Sequence, residues 1–347
     1  MNEKPMQFGI FGGAQAGSTR PGAVMGQGFH DFIDLNLEAE ALGYHSTFLV
    51  EHHFTGWNQV SAPLTLLTWL AARTRTLRLG TAVIVLPWHN PVLLAEQTAT
   101  LDQMSRGRLD FGIGKGYRHS EFKGFAIPLE EADARFEEAL DVILRGWTTS
   151  EQRFSHRGRY WSFDDIVVEP PPRQRPHPPI WMAAASAPSI RKVAARGFNL
   201  MLDQFASLEM IAERLSQYRA EVESHGRIFD SSQVCVARDM YVARDEAEKR
   251  AAHERNDKEH ERILSVSRWP DHQGGSHILA YANSDASRAS TLIGTANEIT
   301  AKLKALRDIG VTYVILNPNG STESLRRFAH EIMPSLSHGP ESTPSHD

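Results

Sequence analysis

Eight short apolar runs rich in β-branched and aromatic residues, each followed by a helical pattern, limit what this chain can fold into more than any single motif does. The runs cover residues 7–11, 46–50, 79–85, 109–112, 180–183, 199–202, 234–242 and 313–316. Between them apolar residues fall at i, i+3 and i+4, as in Phe136, Leu140, Ile143, Leu144 and Trp147. One unit is explicit from Gly80 to Gly116: a strand, a helix, the punctuation Ser105-Arg106-Gly107-Arg108, and a strand ending in Gly112-Ile113-Gly114-Lys115-Gly116. Strand, helix and strand within about 35 residues make a βαβ unit, which builds parallel sheets. Eight repeats fit a closed (β/α)8 barrel of the TIM type better than an open doubly wound sheet. The economical reading is one domain over residues 1–335, followed by a disordered Ser/Pro/His-rich tail over 336–347.

Two insertions interrupt the beat, after strands 4 and 7. Residues 150–179 hold an aromatic, hairpin-like piece (Phe154, Tyr160-Trp161-Ser162-Phe163) closed by Pro170-Pro171-Pro172. Residues 265–290 are polar, contain Gly274-Gly275 and exceed a plain strand-to-helix connection, so they read either as an active-site cover or as a surface loop.

Composition narrows the function classes. Of 347 residues, 41% are hydrophobic and 23% charged, which suits a globular core. A net charge of -5 with scattered basic residues offers no cationic surface for nucleic acid. The single cysteine, Cys235, rules out an intramolecular disulfide and suits a reducing cytoplasm. Residues 1–5 enter the first strand without an apolar leader, and no uncharged apolar run approaches the ~20 residues of a membrane span. The expectation is a cytoplasmic protein.

In such a barrel, chemistry gathers at the carboxyl ends of the strands. After the second comes Glu51-His52-His53-Phe54. Adjacent histidines invite a metal reading, but neighbouring strand residues point to opposite faces, so no metal is expected. His52 reads as a proton shuttle or as a buried structural histidine. After the fourth strand, alternate glycines leave room inside the barrel, which a planar ring would fit, and Lys115 is placed either to stabilise negative charge or simply to be solvated. The Gly-x-Gly spacing is wrong for a dinucleotide fingerprint. After the fifth, Ser186 is an N-cap candidate with Pro188 in the first turn, a helix start that either binds phosphate or is an ordinary cap.

Together, Glu51-His52-His53-Phe54-Thr55, Gly80-Thr81-Ala82-Val83-Ile84-Val85-Leu86-Pro87, Leu101-Asp102-Gln103-Met104-Ser105-Arg106-Gly107-Arg108, Pro179-Ile180-Trp181 and Leu292-Ile293-Gly294-Thr295 closely resemble the luciferase-like flavin monooxygenases, the bacterial luciferase α subunit among them. The resemblance implies a reaction of reduced FMN (FMNH2) with O2 that oxygenates a small apolar aldehyde- or ketone-like substrate through a C4a-hydroperoxyflavin. It implies FMNH2 supplied by a partner flavin reductase using NAD(P)H, or reduction in place. Position by position, it implies that His52 stands beside the isoalloxazine and that Ala82-Val83 is a cis peptide supporting the ring. Lys115, Gly116 and Tyr117 then contact flavin and phosphate, Ser186 and Ser189 hold the phosphate, and residues 265–290 form a lid. Trp57, Trp88 and Tyr117 are candidates for an apolar wall. Gly114 and Ala185 replace a cysteine and a glutamate of the luciferase α subunit, which weakens any expectation of light emission. The resemblance also implies a homodimer through the second and third helices, residues 62–73 and 92–104, where Leu64, Leu67, Trp69, Leu70, Leu93, Leu94 and Leu101 give more apolar surface than one barrel face needs. An F420-dependent hydride-transfer oxidoreductase of the same fold, a non-catalytic flavin-binding relative and an unrelated phosphate-binding barrel stay open.

Overall fold

In chain order the strands are β1 (Gln7–Gly12), β2 (Ser46–Leu49), β3 (Arg78–Thr81), β4 (Ile84–Val85), β5 (Leu109–Gly114), β6 (Phe154–Arg157), β7 (Ser162–Ile166), β8 (Ile180–Ala183), β9 (Asn199–Leu202), β10 (Val234–Val242), β11 (Leu292–Gly294) and β12 (Tyr313–Asn317). The computed structural model describes residues 4–18, 22–149, 152–267, 279–282 and 284–337. All pairings except β6 with β7 are parallel, and they run β12-β1-β2-β3-β5-β8-β9-β10, with β10 returning to β12. Eight rungs therefore close a barrel, as the alternation of runs implied. Closure leaves none of these eight rungs as an open edge.

Two segments differ from the expected runs. The third is broken at Ala82-Val83, which is a cis peptide, and the chain resumes as β4 against the end of β5. The late Leu292–Gly294 segment is a strand of its own, paired with the far end of β10. The first insertion is the expected antiparallel hairpin, β6 with β7. In the second, the long helix Glu246–Ser267 is followed by a turn at Leu279–Tyr281 and a helix at Asp285–Ser290, while 268–278 and 283 lie outside the described residues. At the other end Leu336 is fully buried and its carbonyl accepts the Met6 N–H at 2.8 Å. The rest of the expected tail, 338–347, lies outside the described residues.

Inside the barrel, Phe48, Trp181, Met201, Cys235, Ala237, Tyr313 and Ile315 form one cluster, with Ala82 and Val83 packed against it. Burying side chains such as Phe48 stabilises by ~1.5–3 kcal/mol each. Gly80 makes this interior possible, because a Cβ there would lie 2.2 Å from the Phe48 ring. The Ser-Arg-Gly-Arg punctuation has a structural explanation. Arg106 and Gly107 take positive φ (60° and 82°) to end the helix Pro91–Met104. Arg108 then donates to the carbonyls of Ala71, Thr74, Leu77 and Ser105, tying two helices beneath the barrel.

Candidate active site

His52 and His53 leave β2 toward different carboxylates. The His52 Nδ1 lies 3.0 Å from Glu121 Oε1, which also accepts the His53 N–H at 2.9 Å. Glu121 is buried and comes from the short helix His119–Gly124 after β5, so it bridges neighbouring parts of the barrel mouth. Burial pushes the His52 imidazole below its ordinary pKa; Glu121 pulls the other way and the nearby Arg118 charge adds to the lowering. A neutral imidazole facing a carboxylate donates from Nδ1, which leaves Nε2 as an acceptor. The side chain keeps 18% exposure, so this acceptor belongs to an accessible ring.

Glu51, 2% exposed, forms a second hub. Its Oε2 accepts the Val85 N–H at 2.7 Å, and its Oε1 meets His89 Nε2 at 2.9 Å and His53 Nε2 at 3.4 Å. Burial alone would raise this carboxyl, but the contacts of His53 and His89 and the Val85 N–H outweigh it and hold the pKa at about 2. An ionised Glu51 thus anchors the backbone immediately after the cis link.

Ala82 and Val83 are only half-buried, although Thr81 and Ile84 on either side are fully buried. The link therefore presents a small accessible shelf at the mouth, and the Ala82 N–H to Leu49 carbonyl bond (2.9 Å) joins it to the strand carrying His52. The glycine run corrects an expectation. A Cβ on Gly112 would lie 1.7 Å from the Thr81 carbonyl oxygen, and one on Gly114 would lie 2.6 Å from Val83 Cγ2. Protein, not a ligand, fills the room these glycines leave; they admit the shelf itself.

The other expected residues divide. Lys115 is exposed and its Nζ pairs with Asp133 at 2.9 Å. Gly116 has φ 77°, with a would-be Cβ 2.7 Å from Val85. Tyr117 lies 5.7 Å from the Arg118 guanidinium. Ser186 and Ser189 cap the helix Ala187–Ala195 reciprocally, their hydroxyls 2.9 Å apart, with Pro188 in the first turn as expected. Trp88 packs on His53, Phe122 and Phe125, and Trp57 lies under Arg262 of the helix Glu246–Ser267, so both line the mouth loops. Of the leucines expected on the dimer helices, Leu67, Leu70, Leu94 and Leu101 are buried within this chain, whereas Trp69, Leu93 and Met104 are exposed.

Sequence reasoning missed three groups. Glu121 and Arg118 sit after the inspected glycine run, and only their spacing of three on a helix start hinted at a pair. Asp203, directly after β9, accepts from Arg214 (2.9 Å) and Tyr281 (2.6 Å). Asp239 on β10 joins His260 (2.7 Å) and Asn317 (2.9 Å). Asp203 and Asn317 are polar residues at strand carboxyl ends, the one signal available.

Comparison with known proteins adds to this geometry. A family model for Luciferase-like monooxygenase matches residues 6–313. The uncharacterized protein y4vJ of Sinorhizobium fredii is 33% identical over 62% of this chain, which spans about three fifths (61%) of that relative. The oxygenase component of flavin-dependent trigonelline monooxygenase from Acinetobacter baylyi is 27% identical over 89% of this chain and 90% of its own. The crystal structure of monooxygenase RslO1 from Streptomyces bottropensis superposes with a TM-score of 0.83 at 28% identity, covering 95% of this chain and 99% of that one. A closed eight-rung barrel, a half-open shelf beside a carboxylate-held histidine and a family match over most of its length make this chain a member of the luciferase-like monooxygenase family.

Proposed function

We propose that the chain is the oxygenase of a flavin-dependent monooxygenase, using reduced FMN and O2 on a small organic carbonyl compound. The observation that carries this reading is the His52 imidazole, held by Glu121 beside the accessible Ala82-Val83 shelf. The residues present fit a flavin: the shelf offers a flat apolar support, and the Ser186 helix start offers the hydroxyls of Ser186 and Ser189 to a phosphate. Lys115, engaged with Asp133, is left out of that set.

Bound FMNH2 supplies the electrons and the site of oxygen activation. The chain's own part is positional and protic. Glu121 fixes the His52 ring, so Nε2 accepts a proton from the reacting oxygen and returns it. Trp88, Phe122 and Phe125 keep water from that side of the mouth. Glu51 keeps the shelf in place through the Val85 N–H. A relative named as an oxygenase component supports a separate reductase, for which NAD(P)H is our proposed electron source. Exposed Trp69, Leu93 and Met104 support a homodimer through the helices Pro63–Arg73 and Pro91–Met104.

Titration with FMN and with F420, read by flavin fluorescence, tests the cofactor. His52→Ala should keep FMN affinity within about twofold yet lose ~10²-fold or more in oxygenated product, the scale of a proton-transfer group. Undiminished product yield from the variant overturns the role given to His52.

A further inference from the structure

Arg118 is 2% exposed, and its guanidinium donates no hydrogen bond to any described residue; Nε and Nη1 are both shut off from solvent with no hydrogen-bond partner among the described residues. The nearest opposite charge, Glu121 Oε1, is 3.8 Å from Nη1 and already accepts from His52 and His53. Burying a cation with unmade hydrogen bonds is costly. Other buried arginines of this chain avoid that cost. Arg238 donates to the carbonyls of Asp203, Ala206 and Ala237, and Arg214 pairs with Asp203 and the Tyr281 hydroxyl. Arg118 differs from them in its place at the mouth, one ion-pair contact away from the His52 partner.

We propose that Arg118 binds a carboxylate of the substrate and holds it beside His52, so that the preferred substrates combine an apolar body with an anionic end. A planar guanidinium with open N–H groups matches a carboxylate, and the shielded site strengthens the pairing. The rival source of an oxyanion is the cofactor phosphate. Arg118 stands with the His52–Glu121 pair after β5, whereas the candidate phosphate site is the helix start after β8. The assignment names the substrate class of the proposed monooxygenase and rests on that reading.

The test uses the full chain loaded with oxidised FMN and titrated with two acid and amide pairs, benzoate with benzamide and hexanoate with hexanamide, read by the shift in flavin absorbance. At least one acid should bind about 10- to 100-fold more tightly than its amide, the value of hydrogen bonds to a charged group. Arg118→Gln should erase that preference. Arg118→Lys, which keeps the charge and loses the planar fork, should retain part of it, and serves as the measured variant if the glutamine form does not fold. The proposal is overturned if no acid outbinds its amide, if the preference survives in Arg118→Gln, or if it is undiminished in Arg118→Lys. It is equally overturned if Arg118→Gln weakens FMN but not riboflavin, because the guanidinium then holds the phosphate. A chain that takes up no FMN sinks the monooxygenase reading instead, and the acid and amide titrations are then read through tryptophan fluorescence of the flavin-free protein.

Discussion

Replacing Gly112 by alanine separates two explanations of the glycine run. The new Cβ would lie 1.7 Å from the Thr81 carbonyl oxygen and 2.8 Å from its carbon. Reaching an ordinary contact of about 3.5 Å takes a backbone movement of well over 1 Å. Thr81 resists it, because its hydroxyl donates to the Gly112 carbonyl at 2.7 Å and accepts the Gly112 N–H at 2.9 Å, both buried. Overpacking costs ~1–3 kcal/mol and each lost hydrogen bond ~1 kcal/mol, so the variant should lose about 3–5 kcal/mol. For a chain of this length that lowers the flavin-free Tm by about 4–7 °C, measured by calorimetry or circular dichroism. Gly114→Ala meets a Val83 methyl instead of backbone and should cost less. If the glycines instead left space for a ligand, Gly112→Ala would unfold like the parent and lose only FMN affinity. A flavin-free Tm within about 1 °C of the parent, combined with weakened FMN binding, refutes the reasoning.

Three further outcomes follow from the same geometry. The Glu51 carboxyl is held at about 2 against an ordinary 4.5, so its stabilisation is complete above pH 4.5 and lost as pH falls toward 2, roughly 3 kcal/mol in all; urea unfolding at several pH values should show Glu51→Gln flattening that interval. Glu121 pulls the His52 pKa upward, so Glu121→Gln should move the acid limb of the pH–rate profile to lower pH, and an unmoved or raised limb counts against the pair. Lys115→Ala removes an exposed pair with Asp133, so Tm should change by less than about 1 °C and FMN affinity by less than twofold, measured by melting and by fluorescence titration.

The barrel was legible because its signal is periodic and local. A run such as 180–183 is apolar on both faces, as a strand covered by helices outside and packed inside must be, and its length separates it from the helical stretches. What escaped was set by contacts between distant residues. The run 79–85 reads as one strand, yet the chain turns at Ala82-Val83 because Gly112 and Gly114, some 30 positions on, admit the turn. Likewise Leu67, Leu70, Leu94 and Leu101 read as surplus surface, because a helix carries no mark of how many neighbours it packs against.

The site follows the same division, with a functional consequence. His52 was legible from its place at a strand end, but the groups that set its protonation were not: Glu121 and Arg118 lie some 70 residues away and reach it only because β2 and β5 flank the broken third rung. Lys115 shows the reverse, a cation conspicuous in sequence that the fold spends on Asp133 at the surface. Arg118, three residues on, is a cation that the fold shields and whose Nε and Nη1 have no hydrogen-bond partner among the described residues. Charge at this mouth is therefore decided by which arginine or lysine the β5 loop turns inward, and a relative with the same strand motif but a neutral residue at this position should handle neutral substrates.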